Sequence, residues 1–361
     1  MIVTEDVGVA QREAWANKVL PPVEQVRDGL WSIPVPMPDN PLRYVLVYAL
    51  ALDDGLALID VGWDHEQSWQ ALVDGITSIG YHVSEVRYAA ITHLHPDHFG
   101  LAPRLRQVSG ATLAMHVADA TLLGYHGPEQ TRDDITGWNL QLSELGAPAE
   151  VLDASRVDLV RFAEHETIDV VLGDGDSLDL PGWNLRAQWT PGHTPGHLCF
   201  VEEDRGLLFS GDHMLPRISP NISTIPGELE NPLHRYLLSL EATTTLGECE
   251  VLPAHEYRFR GIADRARQLM GHHEERLAEI VAAVQAEPES TAWELAHDLL
   301  VSSVRPDVAA TTSLGSSRNP CSSCCSGQAG DRDTVRRHAR ALEPSRAVTF
   351  QESHHGSRNR T

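Results

Sequence analysis

The 361-residue sequence predicts a mixed α/β fold. Two observations predict it. Short apolar runs of strand length alternate with segments whose apolar residues recur at helical spacing. Several of those runs end in Asp or His, which places polar, metal-ligating side chains at strand ends. With 42% hydrophobic and 22% charged residues, the chain can bury one large core or two modest ones.

Residues 1–28 are polar and read as an N-terminal helix or arm. Leu30 to Val35 reads as an edge strand ended by prolines. Tyr44 to Leu52 and Leu56 to Asp60 are apolar runs joined by Asp53-Asp54-Gly55, a hairpin signal. Trp69, Leu72, Val73 and Ile76 share a helical face, and Gly80 is a natural stop. Val86 to Thr92 is a strand, His93 to Gly100 a loop, Leu101 to Val108 a helix, and Ala111 to Met115 a strand. The His-rich segment therefore lies at the exit of a strand.

Residues 119–165 break this rhythm and read as a helical insertion around Trp138, Leu142 and Leu145. Strand signals return at Thr167 to Leu172, Leu185 to Thr190, Leu198 to Glu202, Leu207 to Ser210 and Glu250 to Leu252. Helices are expected over 233–246 and 261–285, and a further one starting at Ser290 with Glu294 in its first turn. The expected organisation is an arm (1–28), a catalytic domain (29–260), a C-terminal helical segment (261–302) and a Ser/Arg/Thr/Gly-rich disordered tail (303–361).

Net charge is −23, which disfavours a polynucleotide partner without ruling one out. No run approaches the ~20 apolar residues of a membrane helix, and the N-terminus lacks a secretory pattern, so a cytoplasmic location is expected. The five cysteines suggest no disulfide framework; Cys321, Cys324 and Cys325 lack the partners of a zinc knuckle. The sequence says nothing of oligomeric state.

The strongest signal is Thr92-His93-Leu94-His95-Pro96-Asp97-His98. Imidazole and carboxylate are the usual nitrogen and oxygen ligands of zinc. Two histidines two apart on an extended loop can point the same way, and the next helix can present Asp97 and His98 toward the same point. His193, Asp212 and His255 each follow an apolar run, and strand ends on one sheet edge can converge.

In this order, with Asp60 before them, these residues resemble the metallo-β-lactamase superfamily. The resemblance covers about residues 30–260 and implies a four-layer αββα sandwich with two metal ions, zinc with iron or manganese as alternatives. It implies His93, His95 and His193 at one ion, Asp97, His98 and His255 at the other, and Asp212 between them. Asp60 would orient ligands rather than bind metal, and Asp97 and Asp212 would serve the chemistry. The stretch Thr190 to His197 is similar to glyoxalase II-type thioesterases, which points to a small ester or thioester substrate. The helices after 261, including Thr291 to Ala296, look like the start of the winged-helix tail of a nuclease-related subgroup, which keeps phosphodiester cleavage as the alternative. A non-catalytic metal protein and an iron-dependent redox protein are further readings; β-lactam hydrolysis is less expected. Candidate substrate contacts are Arg217, as a clamp for a carboxylate or phosphate, Trp138 as a pocket wall, and His197 as either a pocket wall or a residue that caps structure. His116 and His213 are read as structural.

Overall fold

The computed structural model describes residues 4–124, 137, 139–154, 167–224 and 230–303. Among the described residues, thirteen strands form two sheets. They are β1 (Glu5–Asp6), β2 (Glu24–Arg27), β3 (Leu30–Pro36), β4 (Tyr44–Leu52), β5 (Gly55–Ile59), β6 (Val86–Ala90), β7 (Thr112–His116), β8 (Val170–Leu172), β9 (Leu185–Trp189), β10 (Leu198–Glu202), β11 (Leu207–Gly211), β12 (Glu250–Pro253) and β13 (Phe259–Arg260). One sheet runs β2-β3-β4-β5-β6-β7-β8, the other β1-β13-β12-β11-β10-β9.

Side-chain alternation explains how the sheets stack. On β4, Tyr44, Leu46, Tyr48 and Leu50 meet Leu198, Phe200, Leu207 and Phe209 of the second sheet in one buried cluster. The intervening Val45, Val47 and Ala49 face outward onto Trp69, Leu72, Ile76 and Leu105 of the helices Glu66–Ser78 and Ala102–Ser109. On the other side, Cys199, Val201 and Leu208 face Tyr236, Leu240, Ala266 and Leu269 of the helices Pro232–Thr243 and Ile262–Ala286. Both faces of each sheet are thus covered. That is why these strands read as continuous apolar runs rather than alternating ones. The result is the expected four-layer αββα sandwich.

The N-terminal segment forms the expected helix, Val9–Ala16, and also adds a strand to each sheet, since β1 pairs with β13 and β2 with β3. The chain divides into two compact units, one of residues 1–141 and 149–277, the other of 142–148 and 278–361, and the helix Ile262–Ala286 carries residues of both. Its first turns bury Ile262, Arg265, Ala266 and Leu269, and Arg265 donates to the carbonyls of Leu215 and Ile218. The last helix spans Ala292–Ser303 and is capped by Thr291, not Ser290: Glu294 N–H donates to Thr291 Oγ1 and the Glu294 carboxylate accepts from Thr291 N–H, a capping box. The helical insertion is described in part, as helices Val117–Gly124 and Ala149–Ala154 with a helical stretch at 139–144. Trp138 and the tail from 304 lie outside the described residues.

Candidate metal centre

The site lies at the carboxyl ends of five strands. Asp60 follows β5, His93 follows β6 by three residues, His193 follows β9, Asp212 follows β11 and His255 follows β12. Because β5 runs parallel to β6, and β11 parallel to β12, these ends share one edge of each sheet. The two edges are stitched together there: Leu198 N–H donates to Thr92 O, Leu46 N–H to Ala254 O, and the Tyr44 and Tyr48 hydroxyls to Glu256 O and Pro253 O. His95 directly precedes the short helix Pro96–Phe99, whose Pro at the first position suits a missing N–H. That helix carries Asp97 and His98 inward.

Seven side chains converge. His93, His95 and His193 bring three ring nitrogens within 4.8 Å of one another, and so do the ligand atoms of Asp97, His98 and His255. His93 Nε2 is 3.0 Å from His95 Nδ1 and 3.2 Å from His193 Nε2. Asp212 stands between the trios: its Oδ2 is 3.4 Å from His193 Nε2, while its Oδ1 is 3.3 Å from His255 Nε2 and 3.7 Å from His98 Nε2. Asp97 Oδ2 lies 3.2 Å from His255 Nε2.

The remaining ring nitrogens fix the tautomers. His193 Nδ1–H donates to Asn221 O at 2.6 Å and His255 Nδ1–H to Tyr44 O at 2.9 Å. Asp60 accepts from His98 Nδ1–H at 2.7 Å, from Thr92 N–H at 2.8 Å and from the Thr92 hydroxyl. That hydroxyl also sits 3.0 Å from His93 Nδ1. Asp60 thereby orients His98 directly and His93 through Thr92. Each of these four imidazoles turns an Nε2 lone pair into the cluster, as metal ligation requires. Asp60 itself holds φ +59°, a left-handed backbone that Asp tolerates better than most residues and that its three hydrogen bonds secure.

The electrostatics divide the cluster. Burial holds His93 well below the usual histidine range, helped by the imidazoles of His98, His95 and His193. Burial, with His193, lowers His95 to about 3. These are neutral bases near pH 7, the form that binds a metal. On the other side, burial opposes charge on His98, but Asp97, Asp60 and Asp212 outweigh it and raise its pKa well above normal. His255 is raised the same way by Asp212 and Asp97. Against burial, His98 and His255 hold Asp97 at about 2, and His255, His98 and His193 hold Asp212 well below the carboxylate range. The carboxylates thus call for positive charge beside His98 and His255, which a proton or a cation can supply.

The donor set fits a metal. His98 Nε2, His255 Nε2 and Asp212 Oδ1 are buried polar atoms with no hydrogen-bond partner among the described residues. Three such orphans meeting at one point would cost about 1–3 kcal/mol each if nothing satisfied them. His95 is only partly buried, so the cluster opens to the outside on its side.

His197 takes the structural role rather than that of a pocket wall. It is wholly buried; its Nε2 accepts from Asp212 N–H at 3.1 Å and its Nδ1 lies 2.8 Å from Thr190 Oγ1. Both nitrogens are spent, and it positions the Asp212 backbone instead. Arg217 is exposed, and its backbone N–H donates to Glu256 Oε2. His213 bonds Thr243, and His116 accepts from Ala118 N–H at the start of a helix. Sequence reasoning overlooked Asp119, whose buried carboxylate accepts from Leu94 N–H, the Thr194 hydroxyl and Gly196 N–H. The signal that could have found it is its place just past the end of β7, the strand beside β6.

The chain belongs to the metallo-beta-lactamase superfamily, whose profile matches residues 40–255. It is 30% identical to a metallo-beta-lactamase family protein of known structure from Thermus thermophilus, at a TM-score of 0.66 over 76% of this chain and 88% of that one. The lactamase-like protein adaB of Aspergillus niger is 27% identical over 74% of this chain and 67% of its own length. The mitochondrial persulfide dioxygenase of Mus musculus is 33% identical over a shorter stretch, 25% of this chain and 34% of its own. Among the described residues no helix is long and apolar enough to cross a membrane.

Proposed function

We propose that this protein is a dinuclear metal-dependent hydrolase that cleaves a small ester or thioester. One observation carries the reading: the two oxygens of Asp212 face two separate trios of ligand-type atoms. Two divalent ions, zinc first and iron or manganese as alternatives, would supply an acidified water and polarise the acyl oxygen. His93, His95 and His193 would hold one, Asp97, His98 and His255 the other, and Asp212 both.

The chain's own residues set the rest. Asp97 and Asp212 stay ionised at neutral pH, so either carboxylate can accept a hydrogen bond from the attacking water and orient it. Asp60 keeps the His98 Nε2 lone pair aimed inward. Substrate reaches the cluster from the half-buried His95 side, and the helix Val117–Gly124, which opens the insertion, starts beside the same sheet edge. An acidic chain of net charge −23 suits a small substrate better than a polynucleotide. The Thr190-Pro191-Gly192-His193-Thr194-Pro195-Gly196-His197 stretch, similar to that of glyoxalase II-type thioesterases, favours acyl over phosphoryl chemistry.

A second reading, an iron-dependent redox enzyme, is favoured by the likeness to persulfide dioxygenase. Metal analysis of the purified chain, followed by a panel of thioester, lactone and bis-nitrophenyl phosphate substrates, tests the proposal. Zinc with thioester or lactone turnover supports it. Phosphodiester turnover alone, or iron with oxygen consumption and no hydrolysis, overturns it.

A further inference from the structure

Two ligand-bearing loops come from different sheets. His93 and His95 leave β6 of the seven-stranded sheet; His193 leaves β9 of the six-stranded sheet, 98 positions after His95. Their three nitrogens must nevertheless be held to a few tenths of an ångström to share one ion. One carboxylate spans the gap. Asp119 Oδ2 accepts from Leu94 N–H at 2.9 Å, between His93 and His95, and from Thr194 Oγ1 at 2.8 Å, next to His193. Its Oδ1 accepts from Gly196 N–H at 2.6 Å. The side chain is fully buried, so no water competes for these donors. The approach is close enough that a Cβ at Gly196 would lie 2.5 Å from Asp119 N and Oδ1. Asp119 is itself anchored: it lies in the first turn of the helix Val117–Gly124, whose Ala118 N–H donates to His116 Nδ1. Among the described residues the hydrogen bonds of its carboxylate go to the loops of the first trio; the second trio is oriented by Asp60 and Tyr44 O.

We propose that Asp119 is a positioning residue that locks the His93/His95 loop to the His193 loop and so sets the affinity of the first of the two ion sites selectively. The inference rests on the two-ion reading of the cluster. It predicts an asymmetry that a general loss of stability would not give. In Asp119→Asn the amide must turn its NH2 toward Gly196 N–H or toward the Leu94 and Thr194 donors, so either Gly196 or Leu94 loses its acceptor and the lock between the loops loosens. Thr194→Val removes one donor, and Thr194→Ser restores it.

The test is zinc binding to the full chain by competition with a graded series of chelators, together with hydrogen exchange at Leu94 and Gly196. Wild type should hold two ions. Asp119→Asn should weaken one of them by ten-fold or more and leave the other within about two-fold. Thr194→Val should be intermediate and Thr194→Ser near wild type. At least one of the Leu94 and Gly196 amides should exchange ten-fold or more faster in Asp119→Asn. His193→Ala assigns the ion: Asp119→Asn should add little to it, yet in His255→Ala it should weaken the remaining ion. A core variant, Leu113→Ala, that lowers Tm as much should leave both affinities alone. Equal weakening of both ions, or unchanged exchange at Leu94 and Gly196, overturns the role of Asp119. A wild-type chain that binds fewer than two ions sinks the two-ion reading instead, and the exchange data then still decide whether Asp119 locks the loops.

Discussion

Replacing Asp60 with Asn tests how the chain prepares its ligands. The two side chains are nearly the same size, and Asn also accepts the left-handed backbone at φ +59°, so the fold should survive. What changes is the hydrogen-bond pattern. Asn can still accept from Thr92 N–H through its oxygen, but its NH2 then faces His98 Nδ1, where Asp60 Oδ2 now accepts a hydrogen bond at 2.7 Å. A donor in that place forces the His98 proton to Nε2, the nitrogen 3.6 Å from Asp97 and 3.7 Å from Asp212. The second trio then loses a lone pair. Losing such an orienting partner costs about 10–100-fold in metal affinity, or ~1.4–2.7 kcal/mol. Zinc competition on Asp60→Asn should show one ion weakened in that range. The coupling of His93 to Asp60 through Thr92 predicts a smaller effect on the other ion. Two ions retained at wild-type affinity would refute the tautomer argument.

Other expectations concern the frame around the site. Glu250 is fully buried between Arg27 and Arg258, and Arg258 also pairs with Glu24. Glu250→Gln leaves the buried Arg258 with Glu24 as its remaining carboxylate and weakens the pair with the more exposed Arg27; it should cost about 1–3 kcal/mol of stability, read by urea denaturation; a loss under about 0.5 kcal/mol would show the network to be dispensable. Gly192→Ala would set a Cβ 2.4 Å from that of Tyr236, in a backbone at φ +139°, and should cost about 1–3 kcal/mol and reduce zinc binding, read by Tm and metal content. Burial pushes the Cys199 thiol from 9.0 up to about 12. Its folded pKa lies above its unfolded value, so its contribution to stability is full below pH 9 and falls as pH rises toward 12, by up to ~1.4 kcal/mol per pH unit. A fall in stability between about pH 9 and 11 that is less steep in Cys199→Ala than in wild type would check this, since Cys249, also raised by burial, titrates in the same range; a peptide map should find Cys199 unalkylated in the folded chain at about pH 8.

Much of this architecture was legible in the sequence because chemistry and topology coincide. A buried strand must be apolar along its whole length, so the switch to His or Asp at Thr92-His93, Gly211-Asp212 and Ala254-His255 marks a strand end in the same stroke as a ligand. The six-residue span from His93 to His98 needs only local geometry, an extended loop running into a helix, and could be read directly. Residues whose roles depend on contacts distant in sequence could not. β1 and β13 have two residues each and exist only because they pair across more than 250 positions. Sequence leaves His197 between pocket wall and structural residue, and only its contacts, the Asp212 backbone and Thr190, decide for the second. Asp119 looked like the first polar residue of an insertion, and only folding brings Leu94, Thr194 and Gly196 to it. The cap at Thr291 rather than Ser290 turned on which side chain faces Glu294, which periodicity leaves open.

The claim beneath all of this is that two trios of ligand atoms, joined by one carboxylate, each hold an ion. Anomalous diffraction at the zinc edge from crystals of the zinc-loaded chain measures it most directly. The account predicts two peaks, one among His93, His95 and His193, the other among Asp97, His98 and His255, both within bonding distance of Asp212. A single peak at saturating zinc, or peaks that Asp212 does not touch, would contradict it.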